Sequence, residues 1–162
     1  MKYALKNAVI LDGTKDMEPL RGQSVLVEGE TIVGLVPAGS EPMGFEPVDL
    51  SGKYLMPGLF NMHVHLAGSG KPQKKQRDNE KLVKTIMGSG LTRAVAYSMV
   101  RGFARDELMS GVTTIRTMGG LGNFDSRLRD EIAAGRQAGP RILAANQGIS
   151  VPCGQMAGSV AI

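Results

Sequence analysis

The sequence predicts an α/β protein in two parts, a β-rich segment over residues 1–56 and alternating strands and helices over residues 57–162. Two observations lead to this prediction. The first part consists of short β-branched runs separated by glycine-containing turns. After Pro57, apolar runs of strand length alternate with stretches whose apolar residues recur every three or four positions, the spacing of an amphipathic helix. Strands that alternate with helices are typical of parallel β/α units.

The first part contains three predicted strand regions. NAVILDG (7–13) is predicted to be a short strand that ends in a turn. QSVLVEGETIVGLVPAG (23–39) has two β-branched runs around Glu28-Gly29-Glu30, which predicts a hairpin. GKYLMPG (52–58) is a further short strand. We therefore expect residues 1–56 to form a small sheet domain.

The second part contains three predicted strands, LFNMHVHL (59–66), GVTTIRTMG (111–119) and RILAANQGI (141–149). Two helices are expected between Asn79 and about Ser110, because Gly88 and Gly90 interrupt the helical pattern. Their predicted apolar positions are Leu82, Ile86, Leu91, Val95, Met99 and Phe103. A third helix is expected to begin with Asn123 as its cap, and its predicted apolar face is Phe124, Leu128 and Ile132.

Charge is unevenly distributed along the chain. Residues 1–56 carry five basic and eight acidic side chains, whereas residues 57–162 carry fourteen and seven. Six of the basic residues lie in KPQKKQRDNEKLVK (71–84), which has no aromatic side chain to stack on a base. This segment is interpreted as a solvated loop and helix start, so no nucleic-acid partner is expected.

The apolar segments and the cysteine content bear on where the protein works. No segment approaches the roughly 20 apolar residues of a membrane span, and the first residues lack the apolar core of a signal peptide. Cys153 is the only cysteine, so no internal disulfide is expected. These features predict a cytoplasmic protein without a membrane partner.

His63 and His65, the only two histidines, occupy alternate positions near the end of the first predicted strand of the second part. Side chains at i and i+2 of a strand point to the same face, with Cα atoms about 6.5–7 Å apart. Two imidazoles placed in this way can converge on one divalent cation. A surface pair or a hydrogen-bonded core pair is the alternative interpretation of His-x-His taken alone. The position favours a site, because active sites of β/α barrels lie at the C-terminal ends of their strands.

YLMPGLFNMHVHL (54–66) resembles the metal-binding strand of the amidohydrolase superfamily, in which Pro-Gly leads into a strand ending His-x-His. Four further segments are similar, in the same order, to the N-terminal third of imidazolonepropionase-like and prolidase-like amidohydrolases: KNAVILDGT, SVLVEGETIVGL, ELMSGVTTIRTMGG and AAGRQAGPRILAANQGIS. The resemblance extends over essentially the whole chain.

The resemblance implies a composite β-sandwich domain over residues 1–56 and a (β/α)8 TIM-type barrel that begins at residue 57. It also implies that His63 and His65 bind one or two divalent ions, with Zn as the expected metal. A metal-activated water would then attack the carbon of a small substrate that is an amide, a cyclic amide or imide, or a dipeptide.

The chain is short for this architecture, because 106 residues supply about three of the eight strands of a barrel that typically needs about 250 residues. The fold expected from the resemblance is therefore a truncated barrel. The family's other ligands, a lysine, two histidines and an aspartate that also serves as base, would lie beyond Ile162. Activity would then require the missing C-terminal part or a second chain, and a homo-oligomer is compatible with this. The alternative is an inactive truncated remnant that binds metal weakly without catalysis.

Three residues are candidates for contacting substrate from loops beside the site: Arg116, Cys153 and Gln155. Arg116 lies in the second strand of the barrel portion, where it would either reach the site or pair with a carboxylate. Relatives commonly have Gly-Gly-His where this chain has Cys153-Gly154-Gln155, so a residue that cannot take a proton replaces a histidine. Cys153 is either a soft metal ligand or reactive thiol at the rim, or an incidental small residue.

Overall fold

A computed structural model of the chain describes residues 1–68, 70 and 78–152. The chain forms two compact units, Met1–Pro57 and Gly58–Ile162. The first unit contains strands β1 (Lys2–Lys6), β2 (Val9–Ile10), β3 (Gln23–Glu28), β4 (Thr31–Pro37), β5 (Glu46–Asp49) and β6 (Tyr54–Leu55). The second contains β7 (Leu59–Val64), α1 (Asn79–Met87), α2 (Gly90–Met109), β8 (Val112–Thr117), α3 (Phe124–Ala133) and β9 (Arg141–Leu143).

The first unit has a four-stranded sheet in the order β4-β3-β1-β5 and a separate parallel pair, β2 and β6. The predicted hairpin is confirmed, since β3 and β4 pair antiparallel around Gly29. The strand predicted over 7–13 is much shorter, Val9–Ile10, and residues with positive φ lie on both sides of it, at Asn7 and Gly13. Sequence patterning missed β1 and β5, which pair with each other in parallel.

A buried hydroxyl and a carboxylate connect two segments of this unit. Ser24 is fully buried and its hydroxyl donates to Glu41 Oε1 at 2.6 Å, while the Gly39 N–H donates to the same oxygen at 3.1 Å. Lys6 Nζ lies 3.2 Å from the other carboxylate oxygen of Glu41. The hydrogen bond from Ser24 is the main cause that lowers the pKa of Glu41 to about 2, with Gly39 next in size.

The second unit has a parallel sheet in the order β7-β8-β9. Helices α1 and α2 lie between β7 and β8, and α3 lies between β8 and β9, so the predicted β/α units are confirmed. The third strand is shorter than predicted and ends at Leu143. The first strand also ends earlier than predicted, at Val64, so His65 is the first residue beyond it.

The predicted break between α1 and α2 is confirmed, and side chains cap both helices. Asp78 accepts a hydrogen bond from the Lys81 N–H at 2.9 Å, and Ser89 accepts one from the Thr92 N–H at 3.2 Å.

Among the described residues, no helix is both long and apolar enough to cross a membrane.

The apolar face predicted for α2 was wrong at three of its four positions, and only Phe103 packs against the core. Leu91, Val95 and Met99 are exposed, and the buried residues of the helix are Ala96, Tyr97, Val100 and Ala104. Apolar residues occur on more than one side of α2, so periodicity alone did not select the buried side. The buried side carries two alanines, whose short side chains allow close helix–sheet packing. The core of the unit comprises Val64, Leu66, Ala96, Tyr97, Val100, Ala104, Ile115, Leu121, Phe124, Leu128 and Ile142.

The cap of α3 also differs from the prediction. Asn123 occupies the N-cap position, but its side chain makes no capping hydrogen bond. Instead, Asn146 Oδ1 accepts from the Ser126 N–H at 3.0 Å. Asn146 follows β9 and has a positive φ of 58°, so a residue distant in sequence satisfies the first turn of this helix.

Candidate metal site

The two histidines converge at the C-terminal end of β7. Their Nε2 atoms lie 3.1 Å apart and their ring centroids 5.1 Å apart. Two nitrogens that bind one ion at about 2.0–2.1 Å, with an angle of about 90–110° at the ion, are about 2.9–3.4 Å apart. The separation of His63 Nε2 and His65 Nε2 therefore fits two ligands of a single ion.

The ring of His65 is fixed from its other side. Its Nδ1 lies 3.2 Å from the carbonyl oxygen of Gly119, in the loop after β8. A carbonyl only accepts, so Nδ1 carries the proton and donates, which leaves the lone pair of Nε2 directed at His63. A backbone carbonyl in this position is the usual outer partner of a metal-binding histidine.

A β-bulge in β7 includes the first histidine, His63. Asn61 pairs with Ile115 and Val64 pairs with Thr117, so β7 advances three residues where β8 advances two. An extra residue of this kind is left unpaired and re-aims the side chains around it. Sequence periodicity predicted the convergence of the histidines from a regular strand, whereas the structure reaches it through this irregularity and the end of β7.

The Arg116 side chain reaches the backbone next to His63. Its Nε donates to the carbonyl oxygen of Met62, within the bulge, at 2.9 Å. In the part of the chain that the structure describes, Arg116 makes no ion pair with a carboxylate. Arg116 and Arg129 also line a wide, open cavity of about 340 Å³ at the C-terminal ends of β8 and β9. Cys153 and Gln155 lie outside the described residues.

Asp125, in the first turn of α3, is a buried carboxylate near this site that sequence reasoning missed. It is 1% exposed, and its Oδ2 has no hydrogen-bond partner within the described residues. Burial is the main effect and raises the pKa of Asp125, and a hydrogen bond from Thr117 partly opposes it. In the sequence, Asp125 has the pattern of an ordinary acidic residue in the first turn of a helix, so nothing marked it as buried.

The donor set fits a divalent transition metal in kind but not in number. Imidazole nitrogens suit Zn, which usually takes four ligands, and this pair supplies two. No group of three or more His, Cys, Asp or Glu side chains with ligating geometry occurs within residues 1–68, 70 and 78–152. The described residues thus offer two nitrogen donors, half the usual number of zinc ligands.

Sequence comparisons identify the proteins that this chain resembles. A model of the amidohydrolase family matches residues 54–160, which is more than half of the chain. A dihydroorotase from Bacillus pumilus is 36% identical over 75 residues, 46% of this chain and 17% of the relative. A dihydroorotase from Trichlorobacter lovleyi is 32% identical over 71 residues, 41% of this chain and 17% of the relative.

Solved protein structures are similar in fold to nearly the whole of this chain. A protein from Bifidobacterium longum described as a prolidase has 31% identity and a TM-score of 0.73, covering 99% of this chain and 33% of that protein. A prolidase complexed with N-methylphosphonate-L-proline, at 23% identity and a TM-score of 0.75, shares the fold over 95% of this chain and 34% of its own. The chain thus spans about a third of the length of the solved structures that it matches. With the family match over residues 54–160, these findings show that the chain belongs to the amidohydrolase family.

Proposed function

We propose that this chain supplies the metal-binding N-terminal portion of a hydrolase that acts on carbon–nitrogen bonds. The observation that carries the proposal is the 3.1 Å approach of His63 Nε2 to His65 Nε2, with His65 oriented by the Gly119 carbonyl. The proposed substrate is a small molecule with an amide, a cyclic amide or imide, or a dipeptide bond. Relatives named dihydroorotase and prolidase support this class.

In this proposal, His63 and His65 hold a divalent ion, with Zn as the expected metal. Such an ion polarises a carbonyl and activates water as a nucleophile at neutral pH. The two histidines contribute neutral nitrogen donors and leave the remaining ligand positions open.

Two histidines are insufficient for catalysis, so we propose that the remaining ligands and the catalytic base come from residues beyond Ile162 or from a second chain. The same residues would complete a (β/α)8 barrel beside a small composite β-sandwich. The sheet supports this, because its edge strand β7 exposes Leu59 and Phe60. Apolar side chains on an open edge normally require a cover. The proposed setting is the cytoplasm, without nucleic-acid or membrane partners.

Zinc binding by this chain tests the metal assignment directly. Competition with a chromogenic chelator should give one zinc per chain for the unsubstituted protein. His63→Ala/His65→Ala should lower the affinity at least 100-fold, because it removes both nitrogen donors. Met62→Ala changes a neighbouring side chain on the same strand without removing a donor, and should bind as the unsubstituted protein does. Equal zinc affinity in the double variant and the unsubstituted protein would overturn the assignment.

Turnover by the assembled enzyme tests the activity. The protein, supplied with the residues that complete the barrel, should hydrolyse a cyclic amide or an Xaa-Pro dipeptide after zinc loading. The double histidine variant should retain its far-UV circular dichroism and lose turnover. Metal binding without turnover on any of these bonds would instead identify the chain as an inactive remnant.

A further inference from the structure

We infer that Arg116 and Asn61 are positioning residues that together hold the Met62–His63 peptide group, and through it the metal-binding ring of His63. This inference rests on the proposed function for its metal readout. Its geometry rests on three independent observations among the described residues. These are the register of the bulge, the hydrogen bond from Arg116 and the hydrogen bond to Asn61.

The bulge leaves the Met62–His63 peptide group without regular hydrogen bonds to β8. Between the Asn61–Ile115 and Val64–Thr117 pairs, two residues of β7 face the single residue Arg116. The peptide group that joins those two residues, Met62 and His63, is therefore out of register with the sheet ladder. A peptide group without its ladder bonds takes partners from side chains or from water.

Side chains supply a partner on each side of this peptide. Its carbonyl, that of Met62, accepts from Arg116 Nε at 2.9 Å. Its N–H, that of His63, donates to Asn61 Oδ1 at 3.3 Å. One donor and one acceptor thus fix the rotation of a single peptide plane, and the Cα of His63 is part of that plane.

The position of His63 is what this rotation determines. His65 is oriented independently, through its Nδ1 and the Gly119 carbonyl. The 3.1 Å separation of the two Nε2 atoms therefore depends on where the His63 ring is held. Among the described residues, that ring makes no hydrogen bond other than the one to His65. Because both supporting hydrogen bonds are exposed to solvent, water can replace them at little cost in stability. Losing these two hydrogen bonds is therefore expected to change the position of the His63 ring more than the stability of the fold.

Zinc affinity and thermal stability, measured together, test the inference. Arg116→Met and Asn61→Leu should each lower zinc affinity about 10- to 100-fold, the usual cost of losing an outer partner of a ligand. Their melting temperatures should stay close to that of the unsubstituted protein. Asn61→Asp keeps the acceptor and should bind zinc at least as tightly as the unsubstituted protein. Arg129→Met removes the same charge from the same cavity and should change nothing.

Electrostatics alone predicts the opposite sign for Arg116. Removing a positive charge beside a cation should tighten binding, so zinc affinity that is unchanged or higher in Arg116→Met would overturn the inference. Cobalt-loaded Arg116→Met and Asn61→Leu should also show altered visible absorption bands, which report the ligand geometry.

A metal-free measurement separates this inference from the proposed function. In the unsubstituted protein, nuclear Overhauser contacts should connect the rings of His63 and His65, whose centroids are 5.1 Å apart. These contacts should weaken in Arg116→Met and Asn61→Leu and persist in Arg129→Met. An unsubstituted protein that binds no zinc would refute the proposed function, while ring contacts unaffected by either substitution would refute the positioning role.

Discussion

Substituting Gly120 by Ala tests how tightly the loop after β8 packs on the buried carboxylate of Asp125. A Cβ at Gly120 would lie 2.6 Å from Asp125 Oδ2, 2.7 Å from Oδ1 and 2.9 Å from Cγ. Favourable contacts of a carbon atom lie near about 3.5–4.0 Å, so the carboxylate would have to move by about 1 Å. At 1% exposure Asp125 has little room to do so. Backbone strain does not contribute, since Gly120 is not among the positive-φ glycines.

Overpacking of this kind costs about 1–3 kcal/mol, and we expect Gly120→Ala to lower the free energy of unfolding by that amount. Gly102→Ala is the matched control, because Gly102 lies inside α2 and, apart from its chain neighbours and the backbone of its own helix, no atom lies within 4 Å of its added Cβ. That substitution should stabilise the protein by about 0.5–1 kcal/mol through helix propensity. Urea unfolding followed by circular dichroism measures both changes.

A double-mutant cycle isolates the contact. Once Asp125→Ala has removed the carboxylate, Gly120→Ala should lose most of its cost, which gives a coupling energy well above the error of the cycle. The reasoning is refuted if Gly120→Ala is as stable as Gly102→Ala, or if its cost persists in the Asp125→Ala background.

Three further predictions follow from contacts in the two units. Asn146→Ala should cost about 0.5–2 kcal/mol by removing the cap of α3, whereas Asn123→Ala should cost less than about 0.5 kcal/mol in the same urea assay. Because the folded protein lowers the pKa of Glu41 to about 2, its stabilisation is present above about pH 4.5 and is lost as the pH falls toward 2. Unfolding free energies of the unsubstituted protein and Glu41→Gln should therefore converge over that range, and a constant difference would contradict this. Leu128→Ala, at a site 1% exposed, should cost about 2–5 kcal/mol, while Leu91→Ala, 77% exposed, should stay within about 0.5 kcal/mol.

Local sequence signals predicted the elements that depend on neighbouring residues. The β3–β4 hairpin follows from two β-branched runs around Gly29, and the break between α1 and α2 follows from Gly88 and Gly90. These features form within a few residues of chain, so their causes are visible in a short stretch of sequence. The order of strands and helices after Pro57 was predictable for the same reason, and it indicated the parallel sheet.

Features that depend on distant residues could not be predicted in this way. The buried side of α2 is selected by the sheet that it packs on, and the cap of α3 comes from Asn146, twenty positions after Ser126. Asp125 follows a pattern typical of an exposed helix terminus, yet the loop at Gly120 encloses it. The lengths of the strands were also overestimated. Residues with a positive φ, such as Asn7 and Asn146, carry no decisive local signal in the sequence.

For the candidate site, the sequence by itself determined which atoms are available: two histidines, alternate in position, at the end of the first strand of a β/α unit. Only the tertiary structure decided how those atoms meet. The register slip against β8 is a property of two strands together. One partner of the slipped peptide, Arg116, and the partner of His65, Gly119, each lie 54 residues away along the chain. Ligand identity is local chemistry, whereas ligand geometry depends on contacts that exist only after the chain has folded.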